Sequence, residues 1–280
     1  MNGTTIFITK HSGELEQFSF KKLKNSLQNS GASNVEIDSI IESIKMELYD
    51  GITSKEIYKK AFLLLKKSNR IYASKYSLKR AIFDLGPTGY PFERLTGALL
   101  KQRGYKTQVS VILKGECVNH EIDVLAEKDG NTFLIECKFH SKYNTSNNVK
   151  IPLYIQSRFV DVQKKWNSKP NKTTFLKQSW IVSNTRFTKE AKKYARCVGI
   201  NLLSWNYPEG NGINKNIDRY GLYPITTLTS LTKREKELLI EKNIILTQEL
   251  LTASNVLNQT GFSKAKIKDI LSEAKKLCSL

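Results

Sequence analysis

The chain has 280 residues, 40% of them hydrophobic, with 45 Lys and Arg against 26 Asp and Glu and a formal net charge of +19. That apolar content suffices for two or three modest cores, and the basic balance points to a polyanionic partner, although a lysine-rich proteome from an AT-rich genome raises the charge as well. No apolar run reaches the length of a membrane span, no signal peptide is visible, and four isolated cysteines without a Cys-x-x-Cys fit a reducing compartment, so a cytoplasmic protein with no membrane partner is expected.

The first 85 residues predict a short hairpin, 5–10 with 15–18, turning at His11-Ser12-Gly13. Ser19 is placed to cap a helix starting at Phe20. Helices follow over about 37–49, 54–67 (capped by Thr53 or Ser54) and 70–85. There is no Walker loop, so nothing indicates an ATPase engine.

Three stretches of this region resemble the ATP-cone, the nucleotide-sensing module of ribonucleotide reductases and their repressor: 8–23 (ITKHSGELEQFSFKKL), 51–57 (GITSKEI) and 72–83 (YASKYSLKRAIF). The resemblance covers residues 6–85 and implies ATP or dATP as a regulatory ligand. Carried over by position, Lys10 and Lys22 contact phosphates, Glu16 and Ser19 lie near the nucleoside, and Ser54 and Arg80 complete the set. The family's Lys-Arg-Asp-Gly turn reads Lys10-His11-Ser12-Gly13 here. The competing reading of the same lysines is a basic helical domain in which Lys10, Lys22 and Lys24 touch DNA phosphate.

Gly86-Pro87-Thr88-Gly89-Tyr90-Pro91 breaks the chain, and a helix over 92–105 follows, ending on Gly104. The most informative segment is 121–138 (EIDVLAEKDGNTFLIECK), in which Asp129-Gly130 separates two strand-like runs. A two-residue turn there fixes the register. Residue 128 then faces 131, every cross-strand pair sums to 259, and Asp123 falls opposite Glu136. Their Cβ atoms would lie ~4.5–5.5 Å apart on one sheet face, with Lys138 two residues further along it. Like charges so placed ask for a compensating cation, and the pattern reads as a metal site beside a catalytic lysine. The plainer reading is a pair of solvated acids neutralised by Lys138. Against it, Phe133-Leu134-Ile135 is a continuous apolar run of the kind buried on both faces, where an unpaired charge is costly.

From about Phe92 to Trp205 the chain resembles the PD-(D/E)xK nucleases, in particular Mrr-like restriction endonucleases. The resemblance rests on the 92–105 helix, on Asp123 with Glu136-Cys137-Lys138, and on 179–203, read as a strand, a helix opening with Phe187-Thr188-Lys189-Glu190-Ala191, and a closing strand. Many Mrr-like proteins carry Gln at the position of Glu136, and the family's Gly-Ile-Asp is Glu121-Ile122-Asp123 here. The resemblance implies Mg²⁺ (or Mn²⁺) held by Asp123, Glu136 and the Cys137 backbone carbonyl, with Lys138 orienting the attacking water or stabilising the pentacovalent state. Glu93 matches an acidic residue that often joins the metal shell, and reads equally well as an exposed glutamate favourable to its helix dipole. Tyr154, Gln156, Arg158 and Phe159 either line the cleft or pack on the sheet. Cys117-x-x-His120 and Cys137-x-x-His140 form a zinc-like pair of pairs, but residues three apart on a strand point to opposite faces.

The Gly- and Asn-rich stretch 206–216 marks a second boundary, and from about Ile225 the chain reads as helical. Thr232 with Glu235 forms a capping box, 243–251 a turn and helix, and 257–271 resembles a helix-hairpin-helix turn with Ser263 as the last cap. There Lys264, Lys266 and Lys268 suit phosphate contacts, and a small dimerisation bundle is an equal alternative. Net charge is +5, +11 and +3 over 1–85, 86–225 and 226–280. The expected architecture is mixed α/β: an ATP-cone of β-hairpin plus helical bundle at 1–86, a restriction-endonuclease-like mixed sheet flanked by helices at 91–207, and a small all-α module at 225–280. The expected function is a Mg²⁺-dependent endonuclease acting on double-stranded DNA as a homodimer or higher homo-oligomer, governed by nucleotide. The alternatives are a non-catalytic nucleotide-responsive DNA-binding regulator and a nuclease for structured RNA.

Overall fold

A computed structural model describes residues 6–10, 13–168, 173–252 and 255–279. Strands β1 (Phe7–Thr9) and β2 (Leu15–Gln17) pair antiparallel. His11 and Ser12 of the expected turn, and Thr5, lie outside the described residues. Ser19 caps α1 (Phe20–Asn29), its hydroxyl accepting from Lys22 N–H. Helix α2 runs Asn34–Lys45, earlier at both ends than expected, because Ser33 and Glu36 form a capping box that starts it. Thr53 and Glu56 do the same for α3 (Ser54–Ser68). The helix expected over 70–85 is two, α4 (Arg70–Tyr76) and α5 (Leu78–Phe83). They meet at Ser77, whose hydroxyl donates to the Ser74 carbonyl at 2.9 Å and so competes with the helical ladder. Leu27, Ile37, Ile44, Ala61 and Leu65 form the core of this unit.

Helix α6 (Tyr90–Gln102) accepts Pro91 in its first turn, where a missing N–H costs nothing. It covers one face of a five-stranded sheet made from β3 (Lys106–Lys114), β4 (Asn119–Lys128), β5 (Asn131–Lys138), β7 (Phe175–Ser183) and β9 (Asn201–Ser204), in that spatial order. The pairs β3–β4 and β4–β5 are antiparallel, and β5–β7 and β7–β9 are parallel. The parallel half needs crossovers, supplied by α7 (Lys150–Asn167) and α8 (Lys189–Val198) on the other face. Strands β6 (Ser146–Asn147), just before α7, and β8 (Arg186–Phe187), just before α8, form a two-residue parallel pair. Thr188 caps α8 and Gly199 ends it with φ of 77°, as the helix-then-strand reading of 179–203 required.

The sequence expectations lack β3, and they also lack α9 (Ile213–Tyr220), which begins inside the Gly- and Asn-rich boundary. A 3₁₀ turn (Ile225–Thr227) leads to α10 (Lys233–Glu241), α11 (Thr247–Thr252), α12 (Asn255–Asn258) and α13 (Lys264–Cys278), capped by Thr232 and Ser263 where expected. These helices do not form a separate core. Tyr223, Leu239, Ile245, Leu250 and Ile270 are continuous with Phe92, Leu95 and Leu99 of α6 and with Ile82 of α5. No helix among the described residues is long and apolar enough to cross a membrane.

Candidate active site

The hairpin that carries the acids forms as its turn residues dictate. Asp129 and Gly130 have φ of 49° and 71°, the left-handed pair of a type I′ turn. The ladder runs from Lys128↔Asn131 to Val124↔Ile135, every pair summing to 259. It stops one step short of Asp123 and Glu136. The cause is an irregularity shared with the next strand. Val109↔Val124 and Val111↔Ile122 keep their register, yet Ser110 and Asp123 between them are unpaired in the ladder, and Ser110 has φ of 55°. Side chains change face there: Val109 and Val124 pack toward α6, whereas Val111 and Ile122 pack toward α7. Asp123 therefore leaves the strict alternation, and its Oδ2 accepts from Cys137 N–H at 2.6 Å.

Glu136 is 7% exposed and lies between two cations. Lys138 Nζ donates to its Oε1 at 2.5 Å, and Arg158 Nη1 donates to its Oε2. Arg158 also donates to the Glu121 carbonyl at 3.2 Å and to Tyr154 Oη at 2.7 Å. Of the four α7 residues that the sequence left undecided, Tyr154 and Arg158 thus join the site, whereas Phe159 is core. Glu93, on the first turn of α6, accepts from Ser110 Oγ at 3.3 Å. Burial, then the Glu136 charge, pushes the Asp123 carboxyl up to about 7; the Cys137 N–H opposes this and the Glu93 charge adds to it. Burial raises Glu93 too, with Ser110 opposing and the charges of Glu121 and Glu136 adding. Glu93, Asp123 and Glu136 thus lie close enough to repel one another, with Lys138 and Arg158 at their margin.

The zinc-like pairs come apart. His120 Nε2 meets Asp161 Oδ2 at 2.7 Å, and Cys117 is exposed beside it. Cys137 is buried among apolar side chains, and His140 Nε2 meets Asn147 Oδ1 at 2.9 Å. Among the described residues no group of three or more His, Cys, Asp and Glu side chains is arranged to hold a metal ion.

The expected nucleotide residues divide into two groups. Glu16 binds both lysines, Lys10 at 2.7 Å and Lys22 at 2.5 Å, and these contacts hold its carboxyl down to about 2. Ser19 is occupied as the α1 cap. Ser54 and Arg80 lie elsewhere, in the lining of a cavity of about 710 Å³ where the N-terminal unit meets the sheet domain.

Three family models match the chain: an ATP cone domain over residues 6–84, a restriction endonuclease catalytic domain of the Mrr type over 87–206, and the AF1548-like C-terminal domain over 223–278. Fold and sequence together define a restriction-endonuclease-like domain set behind an ATP cone. A protein of Archaeoglobus fulgidus described as "Uncharacterized protein" is 39% identical over 180 residues, spanning 64% of this chain and 97% of its own length. The crystal structure of "Protein of Unknown Function AF1548" superposes with a TM-score of 0.56 at 38% identity, covering 68% of this chain and 98% of that one. The chain belongs to this AF1548-like family.

Proposed function

We propose that this protein is a divalent-metal-dependent endonuclease of the restriction type acting on double-stranded DNA, with cleavage or assembly governed by ATP or dATP at the cone. The observation that carries the reading is the meeting, at the end of β5, of Glu136 paired with Lys138 and of the Asp123 carboxyl held against the Cys137 N–H between them. An acid raised to about 7 by burial and then by the Glu136 charge marks a place where a cation would relieve the cost of ionising it. The donors are all oxygen, which suits Mg²⁺ or Mn²⁺, and Mg²⁺ needs only one or two carboxylates because it keeps several waters. Asp123, Glu136 and the Cys137 carbonyl would hold it, with Glu93 beside them, and the bound ion would polarise the scissile phosphate. Lys138, within reach of Glu136, would orient the attacking water and neutralise the negative charge that builds on the phosphoryl oxygens. Arg158 keeps the Glu136 carboxylate in position from the opposite side. The net charge of +11 over residues 86–225 suits a duplex phosphate backbone. A double-strand cut needs two such centres in opposed orientation, hence a homodimer or higher homo-oligomer.

Glu136 is also neutralised by Lys138 and Arg158 with no ion at all, and this favours a second reading, a non-catalytic nucleotide-responsive DNA-binding regulator. Digestion of methylated and unmethylated duplex DNA, and of structured RNA, with Mg²⁺, Mn²⁺ or chelator and with or without ATP and dATP, decides between them. Metal-dependent DNA cleavage that responds to nucleotide is expected. DNA binding without cleavage under any of these conditions supports the regulator, and cleavage confined to RNA replaces the substrate.

A further inference from the structure

The cavity of about 710 Å³ is walled by both domains. The cone contributes Lys55, Lys79 and Arg80; the sheet domain and the helix after it contribute Tyr143, Trp205 and Lys215. The lining carries five Lys and Arg side chains against two Asp. Among the described residues Lys55, Lys79 and Lys215 lie within 4.0 Å of no carboxylate, in contrast to Lys10 and Lys22, which Glu16 already neutralises. Burial, then the nearby Arg186 charge, lowers the Lys79 pKa, as expected of a cation partly withdrawn from water. Aromatic faces accompany the charges: Lys79 Nζ lies 6.0 Å from the Trp205 ring centre, and Tyr143 stacks on Phe83 of α5 at 4.0 Å. Unpaired lysines beside flat rings, in a space large enough for a nucleotide, match the two halves of that ligand: phosphate and base.

We propose that this interdomain cleft is a composite nucleotide site, in which Lys55, Lys79 and Arg80 of the cone and Lys215 hold the phosphates while Trp205 and Tyr143 face the base. The proposal rests on the nucleotide-regulation reading above and adds that the nuclease domain touches the ligand itself. Tyr143 lies in the segment joining β5, which ends at Lys138, to α7, and Trp205 directly follows β9. A ligand in the cleft therefore bears on the chain five residues from the catalytic lysine, a physical route by which occupancy and cleavage are linked.

Binding of ATP and dATP to the full-length protein, by calorimetry and by quenching of Trp205 fluorescence, tests the proposal. Lys215→Glu, on an exposed position, should weaken ATP binding at least tenfold, and Trp205→Phe should remove most of the quenching while keeping the fold. Lys138→Ala should bind ATP as the wild type does, which separates this test from the nuclease reading. Tripolyphosphate should bind more weakly than ATP, because it has no base. The proposal is overturned if Lys215→Glu and Tyr143→Ala both bind ATP with unchanged affinity while Lys22→Ala abolishes binding, which would put the ligand on the cone alone. Absence of ATP and dATP binding by the wild type would overturn nucleotide regulation itself and leave metal-dependent cleavage standing.

Discussion

Asp123 is ionised at a cost that the fold carries without a metal. Its folded pKa of about 7 lies above the value of about 3.9 for an unfolded aspartate, so stability is highest with the group protonated and falls as pH rises from about 4 through 7. Asp123→Asn keeps an oxygen for the Cys137 N–H and removes the charge. In chelator, the variant should melt near the wild type at pH 4 and several degrees above it at pH 8; equal melting at both pH values would show that Asp123 is not under strain. Arg158 makes the complementary case. Removing one cation from the buried Glu136 should destabilise the metal-free protein by roughly 1–3 kcal/mol, less than for an isolated pair because Lys138 remains. Added Mg²⁺ should restore more melting temperature to Arg158→Ala than to the wild type. A variant insensitive to Mg²⁺ would indicate that no ion competes for that carboxylate.

Among the elements, the β3–β4 hairpin shows how a distant helix fixes the edge of the site. Asp161 of α7 accepts from Cys117 N–H at 2.9 Å and meets His120 Nε2 at 2.7 Å, and a Cβ on Gly115 would fall 2.0 Å from its Oδ2. Asp161→Ala should lower the melting temperature and raise amide exchange across 115–120 while leaving the cone's exchange unchanged, because it removes hydrogen bonds to a charged group. Such a tie is invisible in sequence, because nothing near Asp161 announces a partner some forty residues away. Local signals fared differently. Asp129-Gly130 set the register of β4 on β5, and Ser19, Thr53, Thr232 and Ser263 marked helix starts, because each acts through residues three or four positions away. The register argument failed at its last step: the turn cannot encode the change of face at Ser110 and Asp123, which depends on the packing of β3. Arg158 was legible only as one residue of a helix, since its link to Glu136 is tertiary. The break at Ser77 was hidden because apolar spacing continues through it.

Across the whole molecule the three units interlock rather than hang on linkers. Glu273 of α13, 4% exposed, accepts from Ser74 Oγ at 2.9 Å and from the N–H groups of Thr229 and Ser230 at 2.8 Å each, and pairs with Arg70 at 3.1 Å. The C-terminal module thereby grips α4 of the cone, an arrangement suited to passing a change in one domain to another. Glu273→Ala removes a buried charge from this network and should cost roughly 3 kcal/mol. It should also loosen the cone, seen as faster proteolysis within residues 6–84; unchanged proteolysis and melting would mean that the contact carries no load. The claim on which the account depends is that Asp123, Glu136 and Lys138 form a hydrolytic centre, and the rate of Mg²⁺-dependent plasmid cleavage tests it most directly. The account predicts cleavage by the wild type and a fall of about 100-fold or more in both Asp123→Ala and Lys138→Ala, with DNA affinity retained. Cleavage at the wild-type rate in both variants would contradict it.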